Sequence, residues 1–258
     1  MLTQEILAVI FGLAAATSWG AGDYAGGFLT KTQSVFGVLV VVNLTGIILL
    51  FISALYLENS IPGRYSLMMG GFAGISSALG LSALYKGLSV SRMGLVAPVA
   101  AVISAALPVL TGLFLEGLPT VLQFSGFCFA FMAIWFLSAP QKGQSIQFAE
   151  LRLPVLAGLF FGITFIFIDQ AAEQSILWPL FIARVTGLLL LLLIIIVLRY
   201  GALPPKKQII KIIPAGIFET GGIVFYALAA RSGRLDISSV LSSMYPAVTV
   251  ILAWIILK

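Results

Sequence analysis

Nine apolar runs, each long enough to cross the hydrocarbon core of a bilayer, recur along the whole of this 258-residue sequence. They fall at about 6–28, 34–57, 65–88, 94–115, 120–138, 153–172, 177–198, 209–230 and 237–257. Inside lipid every backbone N–H and C=O must find a partner within the protein, so only helices and closed barrels can span. Runs of this length and continuous apolarity are helical, which predicts an all-α, polytopic membrane protein. Composition agrees: 60% of residues are hydrophobic and 9% charged, where soluble domains sit near a quarter charged. A peripheral or single-anchor protein is excluded.

The net charge of +5 does not mark a nucleic-acid binder, because the basic residues are scattered between apolar runs as topology determinants. On one side stand Lys31, Lys86, Arg92, Lys142, Arg152, Arg199, Lys206, Lys207, Lys211 and Lys258; the other has only Arg64, Arg231 and Arg234. The positive-inside rule then places the N-terminus outside the cytoplasm. With no histidine and one cysteine, Cys128, neither an internal disulfide nor a zinc or haem site is expected. The first run follows MLTQE, without a basic leader, and carries Trp19 and Asp23, so it reads as a retained helix.

The chain repeats itself. GLAAATSWGAGDYA (Gly12–Ala25) is echoed by GLFFGITFIFIDQA (Gly158–Ala171), keeping Ser18/Thr164, Trp19/Phe165 and Asp23/Asp169 in register. Asn43-Leu-Thr-Gly46 answers Arg184-Val-Thr-Gly187, AGISSALG (Ala73–Gly80) answers AGIFETGG (Ala215–Gly222), and Ser91–Gly94 answers Gly233–Asp236. The offset stays between 141 and 146. Two units follow, 1–140 and 150–258, separated by the polar stretch Ala139–Arg152; a second, basic loop runs Arg199–Lys211. A unit of five helices is odd, so its copy enters from the opposite side, the inverted repeat of secondary transporters. The second unit has four helices up to Lys258, which reads as a fragment, a truncation or a lost tenth helix.

Helix-1 Trp19-Gly20, the Ala83-Leu-Tyr85 and Tyr226-Ala-Leu228 endings of helices 3 and 8, and Ser242-Ser-Met-Tyr-Pro246 with Pro98 and Pro108 together resemble the drug/metabolite transporter superfamily, in particular its EamA-like domain. The resemblance covers almost the entire chain. It implies a ten-helix carrier of two EamA-type repeats moving amino acids, sugars, nucleotide conjugates, amines or drugs, in a cell (inner) membrane. It also implies a cytoplasmic N-terminus, opposite to the charge tally. The family's tenth helix, and the acidic residue it carries after helix 9, would fall beyond Lys258.

Ionisable groups inside spans are rare and usually functional, and here they set the candidate site. Asp23 shares a helical face with Trp19, and Asp169 with Phe165 and Glu173, spacings that can cradle a cation; the alternative is a pair of solvated interfacial acids. Glu219, deep in helix 8 where helix 3 has Ser77, is placed to exchange a proton or to pair with Arg184. Arg184, whose counterpart is Asn43, either binds a substrate carboxylate or fixes helices 7 and 8 by a salt bridge. Tyr85, Tyr226 and Tyr245 are candidate cavity liners or interfacial belt residues. Ser238, Ser242, Tyr245 and Thr249 form one polar stripe on helix 9, and Pro98, Pro108 and Pro246 are candidate gating breaks. Small residues at Ala14, Ser18, Gly22 and Gly26 allow close helix packing.

The expectation is therefore a secondary carrier of a small polar metabolite (amino acid, amine or drug-like), coupled to protons or exporting passively, without cofactor. No phosphate-binding loop supports ATP drive. Two alternatives stand beside it. One is a truncated, non-transporting membrane protein. The other is an intramembrane aspartyl protease built on Gly20-Ala-Gly-Asp23 and Asp169, although a GxGD aspartate should come second in such a chain. Nothing in the sequence sets an oligomeric state.

Overall fold

A computed structural model describes residues 2–90, 93–115, 117–138, 148–199 and 204–256. The described residues are almost wholly helical: α1 Leu2–Leu29, α2 Val35–Leu57, α3 Arg64–Val90, α4 Met93–Leu115, α5 Val121–Ser138, α6 Phe148–Ala172, α7 Leu177–Leu198, α8 Lys206–Ser232, α9 Leu235–Ser242 and α10 Tyr245–Ile256. The segment 139–147, residues 200–203 and the charges Arg92, Lys142 and Lys258 lie outside the described residues.

Eight described segments are long and apolar enough to cross a membrane, with Leu235–Ile256 counted as one. The remaining expected span, α5, has 18 residues. At 1.5 Å per residue that is about 27 Å, slightly short of a ~30 Å hydrocarbon core. Two expected loops are shorter than the sequence suggests. Helix α6 already begins at Phe148, with Glu150 in its first turn, where an acid suits the positive end of the helix. Helix α8 begins at Lys206 after Pro205, whose fixed φ favours a helix start.

The ninth span is not one rod. It breaks at Ser243-Met244 into α9 and α10. Pro246 lies one residue inside α10 and has no N–H to give the carbonyl of Ser242, so an unbroken ladder is denied at that point. Pro98 and Pro108, in contrast, sit inside a continuous α4.

Packing follows lipid rules. Large apolar residues such as Ile10, Leu55, Phe114, Leu193 and Ile196 are exposed, while Ala15, Ala73, Ala100, Ala101, Ala105, Ala157, Ala183 and Ala215 are buried between helices. Small residues let backbones approach where dispersion, not water exclusion, drives association. The most extensive pairings are α1 with α8, α3 with α6, α4 with α6, α3 with α7, α2 with α7 and α2 with α8, together with α1 against α9 and α10. Exchanging α1 for α6, α2 for α7, α3 for α8 and α4 for α9–α10 maps this set onto itself. Side chains repeat the relation: Ser18 donates to the Phe218 carbonyl at 2.6 Å, and its counterpart Thr164 bonds Ser76, the counterpart of Phe218, at 2.8 Å.

Candidate functional site

Where α1, α3, α6, α7, α8 and α10 converge, they leave a cavity lined by Trp19, Asp23, Ser77, Phe161, Thr164, Phe165, Arg184, Glu219, Tyr245 and the aliphatic Leu81, Leu84 and Ile223. Space for water-sized molecules amounts to about 40 Å³, room for roughly three waters at the ~10–15 Å³ each requires. Three charged groups from three helices meet there, all almost fully buried: Asp23 (3% exposed), Arg184 (5%) and Glu219 (5%).

Glycine makes the meeting possible. Gly22 on α1 faces Glu219, and a Cβ there would stand 3.1 Å from Oε1. Gly26, one turn on, leaves room for the Tyr85 ring, and Gly222 on α8 leaves room for the indole of Trp19. The small-residue ridge of α1 therefore does more than pack helices: it seats the side chains of the cavity. The Asp23 and Glu219 carboxyls face one another within hydrogen-bonding reach, and the Tyr85 hydroxyl donates to Glu219 Oε1 at 3.4 Å.

An aromatic wall stands beside the acids. The repeat partners Trp19 and Phe165 stack at 5.5 Å between centroids, and Phe165 stacks on Tyr226 at 4.4 Å. Tyr226 is fully buried behind this wall, with its hydroxyl at 3.2 Å from the Phe165 carbonyl and 3.1 Å from Ser239 Oγ. Tyr245 lines the cavity and donates to the Ala97 carbonyl at 3.3 Å. All three tyrosines are buried between helices.

Arg184 lines the cavity and the adjoining small pocket that includes Asn43 and Ser77. The expected salt bridge to Glu219 is not made. Among the described residues no carboxylate oxygen comes within 4 Å of its nitrogens, no hydrogen bond reaches the guanidinium, and its buried Nε has no partner. Asn43 is buried and spends its amide on the Leu39 carbonyl at 2.9 Å.

Asp169 is placed elsewhere. It is half-buried, accepts from Gln170 Nε2 at 3.3 Å, and is not among the cavity-lining residues. The echo pairs it with Asp23 in sequence but not in space, so the two aspartates a protease would need are not brought together. The stripe on helix 9 is likewise divided: Ser242 and Thr249 turn to the Gly12 and Gly20 carbonyls of α1, and only Tyr245 reaches the cavity. The prolines 98, 108 and 246 are all buried, none of them lining the cavity.

One cluster outside the spans had no signal in the sequence. Glu58, the C-cap of α2, reaches the N-terminus of α7: its carboxylate accepts Ser175 Oγ at 2.6 Å, the Ile176 and Leu177 N–H groups at 2.9 Å, and the Trp178 N–H at 3.3 Å. Gly63 N–H to Gln174 Oε1 (3.0 Å) and Tyr65 to Gln170 (3.0 Å) tighten the same clasp. Partial burial pushes the Glu58 carboxyl up, but the bonds from Ser175, Leu177, Ile176 and Trp178 together outweigh it and hold it below the usual value. The clasp ties the α2–α3 connection to the α6–α7 connection. At the equivalent N-terminus of α2, Ser34 makes no side-chain cap.

Residues 151–258 match the EamA-like transporter family. A solved crystal structure is 17% identical and superposes with a TM-score of 0.73 over 96% of this chain and 87% of its own, a likeness of fold. None of the curated proteins matches the sequence significantly. The chain is thus a multi-pass membrane protein, with eight described helices long and apolar enough to cross a bilayer, whose residues 151–258 are similar to the EamA-like transporter family.

Proposed function

We propose that this protein is a secondary carrier of a small polar metabolite (an amino acid, amine or drug-like molecule) in the cell (inner) membrane. It works by alternating access between two inverted repeats, 1–140 and 150–258. The reading rests on one observation above all: two carboxyls and a guanidinium converge from α1, α8 and α7 on a single cavity, with Glu219 midway along the 27 residues of α8. Isolated charge is costly in a membrane, and its concentration at the junction of repeats is where transporter sites lie.

The acids supply coupling. Two carboxyls in hydrogen-bonding contact hold one proton between them, because two carboxylates offer no donor. Asp23, Glu219 and the hydroxyl of Tyr85 therefore form a unit that trades its proton for a cationic group when the cavity opens. Trp19 and Phe165 cover that group with π-faces. Tyr245 and Arg184 complete the polar lining.

The test is exchange in proteoliposomes. A pH gradient is expected to drive uptake of a labelled amine or amino acid, and Glu219→Gln to abolish the response to the gradient while passive exchange continues. Flux indifferent both to pH and to Glu219→Gln would remove the proton from the mechanism. Absence of any exchange across a panel of amino acids, amines and cationic drugs would remove the carrier reading itself.

A further inference from the structure

We propose that Arg184 is the anion-binding end of the cavity and takes the carboxylate of an amphoteric substrate whose ammonium group lies at Asp23 and Glu219. This deepens the carrier reading and rests on it for the word substrate. The observation beneath it is independent: a buried guanidinium with no hydrogen bond and no close ion pair among the described residues.

Arginine keeps its charge at any physiological pH and presents five N–H donors in a planar fork. Burying such a group unpaired is costly, so buried arginines are ordinarily bonded to carboxylates or carbonyls. Arg184 is 5% exposed, yet among the described residues none of its nitrogens has a hydrogen-bond acceptor. A second orphan stands next to it. Thr220 Oγ1 is buried without a hydrogen-bond partner among the described residues, and both atoms close on Gly46, at 2.8 Å (Thr220 Oγ1) and 3.0 Å (Arg184 Nε) from the position a Cβ would take, which leaves no room for a ligand atom at that point. Thr220 does not line the cavity, so the guanidinium, which does, is the donor offered to an oxygen-rich visitor.

Glu219 is the acid nearest in charge, but it is engaged with Tyr85 and Asp23 and makes no ion pair with Arg184. The guanidinium is thus left for the cavity, which it lines. An anion alone would meet the two acids across the same space, and a cation alone would meet the arginine. A molecule carrying a carboxylate and an ammonium satisfies both ends at once, and the planar fork favours the bidentate geometry of a carboxylate. The pairing also explains the divergence between repeats: Asn43 and Ser77, at the equivalent positions, carry no charge, so the cavity has one polarity rather than a symmetric pair of ends.

The experiment compares ligands that differ only at the carboxylate. With the full-length protein in proteoliposomes, L-phenylalanine and L-leucine are tested against their amides and against phenethylamine and isopentylamine. The free acids are expected to exchange at least tenfold better than amides or amines. Arg184→Gln is expected to erase that preference, bringing acids and amides within about twofold while amine exchange persists. Arg184→Lys should raise KM tenfold or more with a smaller change in kcat. A purely structural arginine would lower all fluxes together and leave the acid-to-amide ratio intact. Amides exchanged as well as acids by the unaltered protein, or a preference surviving Arg184→Gln, overturns the subsite. Thermal stabilisation of the detergent-solubilised protein by the same ligands separates the two readings. Arg184-dependent stabilisation by acids without any flux upholds the subsite and overturns the carrier, whereas flux of amines without a carboxylate requirement does the reverse. The ligand comparison on unaltered protein decides the matter even where a variant fails to fold.

Discussion

At the scale of the residue, the site depends on side chains that are missing as much as on those present. Gly22 and Gly222 cross α1 against α8, and each leaves the volume that Glu219 or Trp19 occupies. Gly222→Ala should therefore displace the indole. Overpacking of this kind costs about 1–3 kcal/mol, so exchange is expected to fall roughly tenfold with a visible shift in tryptophan fluorescence; unchanged flux and spectrum would deny Trp19 its place at the cavity. Asp23, Arg184 and Glu219 were legible as candidates from their charge inside apolar runs, and Trp19 from its place one turn before Asp23 and its match to Phe165. Asp169 carried the same marks and stands outside. Nothing in an apolar sequence says which face of a helix looks into the protein, since lipid and interior are equally apolar.

At the scale of the element, the clasp at Glu58 and the break at Ser243-Met244 are the places where helices are held or released. Glu58→Gln removes the charge but keeps most of the shape, and loss of a helix cap costs about 0.5–2 kcal/mol. The melting temperature in detergent should fall at neutral pH. Hydrogen bonds hold the folded-state carboxyl of Glu58 below its ordinary value. Its contribution is thus full above about pH 4.3, the unperturbed glutamate value, and fades as pH falls through the lowered folded value. The gap in melting temperature between the unaltered protein and Glu58→Gln should therefore close in acid; a gap that widens in acid would contradict the clasp. On α10, Pro246→Ala restores an N–H for the Ser242 carbonyl. It should favour a continuous ninth helix and slow exchange while ligand binding persists, measured as initial rate against thermal stabilisation.

At the scale of the whole molecule, the two connections joined by the clasp lie on the N-terminal side, and Thr32 and Lys31 lie opposite. In a Cys128→Ser background, single cysteines at Thr32 and Ser60 should react with an impermeant thiol reagent from opposite faces of sealed vesicles. The charge tally expects Ser60 to be reached from outside the cytoplasm; the reverse result would give this chain the cytoplasmic N-terminus that the resemblance implies. Labelling of both from one face would refute the number of crossings between them. The same vesicles report gating, since accessibility near Glu58 should change with substrate if the clasp opens during exchange.

The sequence by itself determined that the chain is helical and membrane-spanning, because backbone hydrogen bonding in lipid permits little else. Its charges, being expensive, named most of the candidate site in advance. Tertiary structure alone decided which of them meet. Asp23 and Glu219 are brought together from residues far apart in the chain, Arg184 makes no salt bridge to Glu219 among the described residues, and Glu58 crosses from the end of α2 to cap α7. These are facts of helix rotation and crossing, set by small residues at contacts between elements. A helix surrounded by lipid on one side and by protein on the other writes almost no amphipathic signature of that choice into its sequence.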